Sequence, residues 1–253
     1  MNLSQLNASQ LNFTPHELLI LYNCMKISII IPTLNEAENI GKLIRHLKLN
    51  ADGMRLEIIV VDGGSTDKTV EIAQTFGATV FIAPKSRAKQ MNFGAKNAQG
   101  EVLYFVHADC LPPNTYIADI QDAISNGYPI GCFRYKFDSN SFLLKLNAYF
   151  NRFSPLWCRG GDETLFVTRE AFNQLGSFDE NFCIMEEYAF IQKAYKNFRF
   201  KIIPKSALVS ARKYATNSWI RVQYANFIAF SMFKKNVSPS EIAARYKEIL
   251  TYR

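Results

Sequence analysis

The chain has 253 residues, of which 48% are hydrophobic, and this is enough apolar sequence for one sizeable core. The formal net charge is +7, and the segment from Lys193 to Arg253 carries 13 Lys and Arg residues against two acids. We therefore expect one enzyme-sized domain with a basic last quarter that faces an anionic partner. A phosphorylated substrate, an acidic membrane surface and a merely solvated face remain open. No sequence module supports nucleic-acid binding.

The five cysteines are far apart, odd in number and without a CxxC pair, which favours reduced thiols in a cytosol-like compartment. The three histidines lack metal-ligand spacing, so a zinc centre is not expected. The uncharged run from Val222 to Phe233 is shorter than a membrane-spanning helix. We expect a cytoplasmic protein, and a peripheral contact of its basic C-terminal segment with the inner membrane face is one of the open alternatives.

Residues 1–24 are polar and are expected to form a loose N-terminal extension. Strands are then predicted at Lys26–Thr33, Glu57–Asp62, Thr79–Ala83 and Glu101–Val106, and helical patterns lie between them. This alternation predicts an α/β domain over residues 25–213, with a mostly parallel sheet covered by helices on both faces. The second half is less regular. A basic helical segment, 214–253, is expected to pack on the domain.

Polar residues follow the first, second and fourth of these strands. They are Asn35 and Glu36, Asp62, and His107 with Asp109. Because ligands of such sheets bind beyond the carboxyl ends of the strands, these residues predict a site on one edge. A carboxylate at a strand end meets a cation, a donor cluster or solvent, and we expect Asp109 to meet a divalent metal. Capping of the next segment is the alternative for Asp109.

Four motifs in order resemble family 2 glycosyltransferases of the GT-A fold, a Rossmann-like architecture. They are IIIPTLNEAENI at 29–40, EIIVVDGGSTDKT at 57–69, GEVLYFVHADCLPP at 100–113 and GSFDENFCIMEEYAF at 176–190. The likeness runs from Lys26 to about Arg212. It is greatest to a small soluble branch in which His-Ala-Asp replaces the family's Asp-x-Asp motif. The resemblance implies transfer of a sugar from a nucleotide-diphosphate donor to an unidentified acceptor hydroxyl.

The resemblance also implies roles for individual residues on the donor side. The nucleoside would meet Pro32, Asn35 and Glu36, and Asp62 would accept a hydrogen bond from the base. Backbone would approach the nucleotide closely at Gly64 and its neighbour Gly63. The remaining implied contacts with the donor, including its phosphate oxygens, are Arg87, Lys89, Gly160, Gly161 and Arg212.

Metal and catalytic residues follow from the same resemblance. Asp109 matches the last acid of the metal motif and would hold Mn²⁺ or Mg²⁺ together with donor phosphates. His107 is a weaker candidate ligand, a phosphate donor or a supporting residue. Glu187, or its neighbour Glu186, would remove the acceptor proton during an inverting attack, and Asp162 would lie between donor and acceptor.

Two other functions remain open at this point. The departures from Asp-x-Asp at His107 and from the family's Glu-Asp pair at Glu186–Glu187 suggest a nucleotide-sugar binding protein with weakened catalysis. A nucleotidyltransferase would also use a Rossmann-like sheet and Mg²⁺. The sequence lacks a Gly-rich, Lys-bearing phosphate loop near the first strand, and it contains neither GxGxxG nor a P-loop. The glycosyltransferase reading is therefore preferred.

Overall fold

A computed structural model describes residues 25–51, 53–54, 56–160 and 163–250. The predicted extension over residues 1–24 lies outside this part of the chain, as do Gly161 and Asp162. The strands, helices and contacts of the protein are those of these residues.

The strands and helices alternate through the first half of the chain and then become irregular. The strands are β1 (Ile27–Thr33), β2 (Glu57–Asp62), β3 (Thr79–Ile82), β4 (Val102–Phe105), β5 (Cys110–Leu111), β6 (Ile130–Phe137), β7 (Leu165–Thr168) and β8 (Phe200–Val209). The helices are α1 (Ile40–Leu49), α2 (Thr69–Thr75), α3 (Arg87–Asn97), α4 (Tyr116–Ser125), α5 (Phe142–Tyr149), α6 (Arg169–Leu175), α7 (Glu186–Asn197), α8 (Lys213–Thr216), α9 (Trp219–Lys234) and α10 (Pro239–Ile249). Short 3-10 helices cover Phe150–Arg152 and Leu156–Cys158.

All eight strands join one sheet in the order β3-β2-β1-β4-β7-β6-β8-β5. The four strands from β3 to β4 pair in parallel, and β6 pairs in parallel with β8. Strand β7 runs antiparallel between β4 and β6, and β5 runs antiparallel to β8. The predicted α/β architecture with a mostly parallel sheet is confirmed.

Helices cover both faces of the sheet because its central strands are apolar on both sides. Ile29 and Ile31 of β1 belong to the core cluster that contains α1 and α4, whereas Ile30 packs with α3, α6 and α7 on the other face. All seven residues of β1 are buried. The alternation of side chains along a strand thus supplies two cores from one continuous apolar run.

The four predicted strands are present, and the bounds of β2 match the predicted strand Glu57–Asp62. Strand β8 was not predicted, because it carries lysines and Pro204 and its middle is exposed. The register of β8 against β6 shifts at Phe133/Arg134, opposite this irregular stretch. Helix α9 lies within the helical segment expected over 214–253, but its own bounds were not predicted, since its buried face includes the small residues Ala225 and Ala229 while larger apolar residues face outward.

Helices α9 and α10 form a third apolar cluster that rests on the start of α7. Val222, Phe233 and Ile242 pack there against Met185 and Tyr188. Lys213 Nζ donates to Tyr246 Oη at 2.6 Å, and this bond ties the end of the predicted catalytic domain to α10. The C-terminal helices therefore support the segment that carries Glu186 and Glu187. Among the helices of the described residues, none is long and apolar enough to cross a membrane.

Candidate functional site

The candidate site lies where the carboxyl ends of β2, β1 and β4 meet at one edge of the sheet. The strands are neighbours, and Thr33 at the end of β1 is in register with Asp62 at the end of β2. Pro32 is buried in β1, and His107 and Asp109 follow β4 on the same edge. The prediction that these strand ends converge is confirmed.

Hydrogen bonds between the loops after β1 and β2 hold them together. The Asn35 side-chain oxygen accepts from Thr66 N at 2.9 Å, and Asn35 N donates to Ser65 Oγ at 2.7 Å. Asn35 has a positive φ of 54°, a conformation that Asn tolerates better than most residues. Glu36 N donates to Thr69 Oγ1 at 2.7 Å. These contacts form a fixed rim on which exposed Asn35 faces solvent.

Asp62 is buried, and its carboxylate organises the turn after β2. Its Oδ1 atom accepts from Gly64 N at 2.9 Å and Ser65 N at 2.7 Å, and Oδ2 accepts from Thr33 Oγ1 at 3.2 Å. Gly64 has a φ of 93°, which a side chain would strain. In this arrangement Asp62 shapes the loop, and its predicted contact with a nucleotide base stays a prediction.

Gln90 is a site-forming residue that sequence reasoning did not single out. Its Nε2 atom donates to the backbone oxygens of Thr33 at 2.8 Å and Val61 at 2.7 Å, so α3 is fastened to two strand ends. Gln90 is buried. The signal available in the sequence was a polar Gln among the apolar residues of one helix face. Lys89, its neighbour, is exposed at the same helix start.

Arg212 joins two of the predicted site residues across a long sequence distance. Its guanidinium donates to both carboxylate oxygens of Glu36, with Nη1–Oε2 at 2.8 Å, and Nη2 lies 3.1 Å from Asp109 Oδ2. Glu36 also accepts from Asn39 Nδ2 at 2.8 Å. These bonds to Glu36, together with the charge of Asp109, raise the pKa of Arg212 above its ordinary value despite partial burial. The structure thus places Glu36, Asp109 and Arg212 together.

His107 contacts Glu187, which comes from the opposite side of the site. The distance from His107 Nε2 to Glu187 Oε1 is 2.9 Å, and both side chains are mostly buried. Burial alone would lower the pKa of His107, but the attraction and hydrogen bond of the Glu187 carboxylate raise it above its ordinary value. The strand end after β4 and the start of α7 are therefore joined by a charge-assisted contact.

Glu186 is more deeply buried than Glu187, and neither of its carboxylate oxygens has a hydrogen-bond partner among the residues that the structure describes. Arg87 Nη1 lies 3.5 Å from Glu186 Oε1 and balances part of its charge. Burial raises the pKa of the Glu186 carboxyl; Arg87 opposes this effect and Glu187 strengthens it. Met185, directly before the pair, has a φ of 68°, a conformation that costs free energy for a non-glycine residue.

The loop after the 3-10 helices is anchored by a buried ion pair. Arg159 Nη1 lies 3.2 Å from Glu163 Oε1, and Arg159 Nη2 donates to Phe153 O at 2.7 Å. A Cβ atom added at Gly160 would lie 3.5 Å from Tyr188 Oη, close to the start of α7. Gly160 therefore borders the site, while predicted roles for Gly161 and Asp162 concern positions outside the described residues.

The donor set agrees with a divalent metal held mainly by a phosphorylated ligand. Among the described residues, no group of three His, Cys, Asp or Glu side chains forms a metal cluster. Mg²⁺ and Mn²⁺ at phosphate sites need only one or two carboxylates, and phosphates and waters supply the other oxygens. The Asp109 side chain is 20% exposed, so one of these carboxylates is accessible. The Nε2 atom of His107 is engaged with Glu187, and a role as metal ligand stays a prediction.

Solved structures with this fold include two glycosyltransferases in complex with metal and nucleotide sugar. Glucosyl-3-phosphoglycerate synthase from Mycobacterium tuberculosis, in complex with Mn²⁺, UDP-glucose and phosphoglyceric acid, matches with a TM-score of 0.63 and 17% identity, over 90% of this chain and 86% of that one. A mannosyltransferase from Pyrobaculum calidifontis, in complex with GDP-mannose and Mn²⁺, matches with a TM-score of 0.60 and 18% identity, over 89% and 70%. These likenesses confirm the GT-A fold.

Sequence relatives agree with the fold but cover only part of the chain. The dolichol-phosphate mannosyltransferase of Pyrococcus furiosus is 36% identical over 112 residues, which are 42% of this chain and 32% of that protein. The chain thus spans about a third of the length of that relative. The sequence model of the family described as Glycosyl transferase family 2 matches residues 28–205, well over half of the chain. The protein therefore belongs to glycosyltransferase family 2.

Proposed function

We propose that the protein transfers a sugar from a nucleoside-diphosphate sugar to an acceptor hydroxyl and inverts the anomeric configuration. The observation that carries this proposal is the contact of His107 Nε2 with Glu187 Oε1 at 2.9 Å. It joins the strand end that bears Asp109, on the donor side, to the helix start that bears the predicted base. A donor and an acceptor bound at this edge would then meet between the two.

The donor side is formed by Glu36, Asn35 and the turn at Gly64. Asn35 is exposed on the rim, and no atom of the described residues lies within 4 Å of the place where a Cβ of residue 64 would stand. Arg212 is half exposed and already bound to carboxylates, so its guanidinium is available to exchange one of them for a phosphate oxygen. Arg87 and Lys89 supply further positive charge at the start of α3.

Asp109 would hold the divalent metal together with the diphosphate. When bound, Mn²⁺ or Mg²⁺ stabilises the negative charge that develops on the departing nucleoside diphosphate. Arg212 Nη2 lies 3.1 Å from Asp109 Oδ2, and this ion pair supports access of a cation to the carboxylate. The protein would thus contribute one carboxylate to the metal.

Glu187 is the residue that we expect to take the acceptor proton. One of its oxygens is oriented by His107, which is the arrangement of a base and its orienting partner. The acceptor oxygen forms a bond with the anomeric carbon as the bond to the diphosphate breaks. The hydroxyl proton passes to Glu187, and the electron pair leaves with the nucleoside diphosphate. Glu186, buried and facing Arg87, would support the position of this helix start.

The named relatives support the choice of donor class. The solved complexes contain UDP-glucose or GDP-mannose with Mn²⁺, which favours a uridine or guanosine diphosphate sugar here. Family membership also favours transfer over binding alone. The cytoplasmic location is an expectation from the sequence.

The experiment is incubation of the protein with a panel of uridine and guanosine diphosphate sugars and Mn²⁺ or Mg²⁺. The proposal predicts metal-dependent release of free nucleoside diphosphate from at least one donor, together with a glycosylated product when an acceptor alcohol is supplied. Tight nucleotide binding without release from any donor would instead support a binding protein with lost catalysis. That second candidate is favoured by the pairing of Arg212 with Asp109, which neutralises the predicted metal anchor.

A further inference from the structure

An apolar surface outside the candidate site is exposed on α5 and the two 3-10 helices that follow it. Phe142 is 75% exposed and Trp157 is 57% exposed, which is unusual for such large apolar side chains. We call this surface the aromatic patch, and its members are Phe142, Leu143, Leu146, Tyr149, Phe150, Phe153 and Trp157. Neither the fold nor the proposed chemistry uses it.

Four rings of the aromatic patch form one connected group. The ring of Phe150 lies 5.9 Å from that of Tyr149, 6.3 Å from that of Phe153 and 5.9 Å from that of Trp157, measured between centroids. The rings therefore contact one another while their outer faces remain in solvent. A connected group of this kind marks an interaction surface, because apolar residues exposed for no reason occur singly.

The backbone beneath the aromatic patch is firmly held. Leu144 of α5 is buried, and Asn151 Nδ2 donates to Tyr135 O of β6 at 2.7 Å. Arg159 donates to the backbone oxygens of Asn151 and Phe153 from below. The aromatic rings are thus presented outward from a fixed platform, so a partner would meet a surface that is already formed.

The charge of the same segment identifies the partner. From Ser139 to Cys158 the sequence contains Lys145 and Arg152 and no acidic residue. Arg152 stacks its guanidinium 3.7 Å from the centre of the Tyr149 ring, which places a cation at the edge of the aromatic patch. Trp, Tyr and Phe beside basic residues are the composition that binds the boundary between lipid headgroups and acyl chains. A second copy of the chain would bring like charges together, because the segment has no acid to pair with them.

We infer that the aromatic patch docks the protein on an anionic lipid bilayer. The patch ends at Trp157, two residues before Arg159 and three before Gly160, which borders the candidate site. Docking would therefore hold Arg159 and Gly160 close to the membrane surface. The inference does not depend on the proposed sugar transfer, since it concerns a surface outside the reacting groups.

This surface differs from the C-terminal contact that the sequence predicts. Helix α9 exposes Ile220, Tyr224 and Phe227 on one face. The two regions are near each other, because Tyr214 Oη accepts from Asn147 of α5 at 3.4 Å and from Gln223 of α9 at 3.5 Å. A comparison of variants in the two regions shows which one binds the membrane.

The test is flotation with vesicles of phosphatidylcholine alone and of phosphatidylcholine mixed with phosphatidylglycerol. The full chain is compared with Phe142→Ser/Phe153→Ser/Trp157→Ser in the aromatic patch and with Ile220→Ser/Phe227→Ser on α9. We expect the unaltered chain to bind the anionic vesicles, and the patch variant to lose about tenfold or more of that affinity. The α9 variant should retain it. Thermal unfolding of each variant provides the control for folding.

Tryptophan emission gives a second readout, because the chain has only Trp157 and Trp219. Anionic vesicles should shift the emission of the Trp219→Phe variant to shorter wavelength and leave that of Trp157→Phe unchanged. The inference is overturned if the unaltered chain ignores anionic vesicles, if the patch variant binds them as well as the unaltered chain does, or if only the α9 variant loses binding. Loss of a dimer in the patch variant, without vesicle binding by the unaltered chain, would show a self-association surface instead.

Discussion

His107 Nε2 lies 2.9 Å from Glu187 Oε1, and this contact joins two motifs that are 80 residues apart in the chain. In the family's Asp-x-Asp motif the position of His107 would hold a carboxylate. A carboxylate at this distance would repel Glu187, whereas the imidazole can donate a hydrogen bond to it. The imidazole of His107 therefore stabilises the Glu187 carboxylate, which an aspartate at the same position would repel.

His107→Asp should consequently destabilise the protein more than His107→Asn at neutral pH. Two ionised carboxylates would face each other in the aspartate variant, and this raises their folded-state pKa values. The destabilisation is present while both are ionised and is lost as the pH falls through those values. Thermal unfolding of both variants between neutral and acid pH measures the difference. Equal unfolding midpoints at neutral pH would show that the two side chains are not coupled.

Arg212→Ala should weaken binding of a nucleoside diphosphate by about 10- to 100-fold, because a charge-assisted hydrogen bond to phosphate is lost. The effect on stability should be small, since Arg212 is half exposed and solvent screens its ion pairs. Titration calorimetry with UDP and GDP, in the presence of Mn²⁺, measures the affinity. Arg245→Ala serves as the matched control, because Arg245 forms an exposed ion pair with Glu248 and is not among the candidate site residues. Unchanged affinity in the Arg212 variant would remove this residue from the donor site.

Arg159→Met should lower the free energy of unfolding by about 3–5 kcal/mol, because it leaves the buried Glu163 carboxylate without its cation. The double variant Arg159→Met/Glu163→Gln should recover part of this loss, since the uncompensated charge is then removed. Urea unfolding of the two single variants and the double variant measures the coupling. Strict additivity would show that the ion pair does not hold the loop.

Substitution of Gly131 should affect packing, whereas substitution of Gly160 should affect sugar transfer. A Cβ at Gly131 would lie 2.4 Å from Lys201 O of β8, so Gly131→Ala should destabilise the fold by about 1–3 kcal/mol. At Gly160 the nearest atom to an added Cβ is Tyr188 Oη at 3.5 Å, an ordinary contact. Gly160→Ala should therefore unfold as the unaltered protein does. Its sugar transfer should be lower, because the added methyl group leaves less room for the sugar to approach. Thermal unfolding and donor turnover are measured on both variants. An unfolding midpoint of Gly160→Ala that falls together with its activity would contradict this prediction.

The sequence was sufficient to predict the sheet edge, because polar residues after apolar strands identify the ends of β1, β2 and β4. It could not predict the pairings across that edge. Glu36 and Arg212 are 176 residues apart, and only the folded chain brings their side chains together. Strand β8 was missed because Pro204 and the adjacent lysines weaken its strand pattern. The bounds of α9 within the expected helical segment 214–253 were not predicted, because alanines form part of its buried face and size and polarity do not distinguish its two sides.

The resemblance of four motifs to family 2 supplied the candidate residues. For each candidate residue that it describes, the structure shows the neighbouring side chains. Asp62 is expected at a nucleotide base, and it also accepts the hydrogen bonds that organise its own loop. Glu186 and Glu187 are adjacent in sequence, but one faces Arg87 and the other His107. Such differences arise from backbone direction at the start of α7, where Met185 has a positive φ that no local pattern foretells.

The most direct measurement of the central claim is donor turnover by Glu187→Gln, compared with Glu186→Gln and with Glu170→Gln, an exposed control on α6. We predict that Glu187→Gln lowers transfer by about 10²–10⁴-fold and leaves nucleotide affinity unchanged, because it removes the proton acceptor and keeps the shape. Glu170→Gln should be fully active. Unchanged transfer by Glu187→Gln, with the loss appearing in Glu186→Gln, would contradict the assignment of Glu187 as the base.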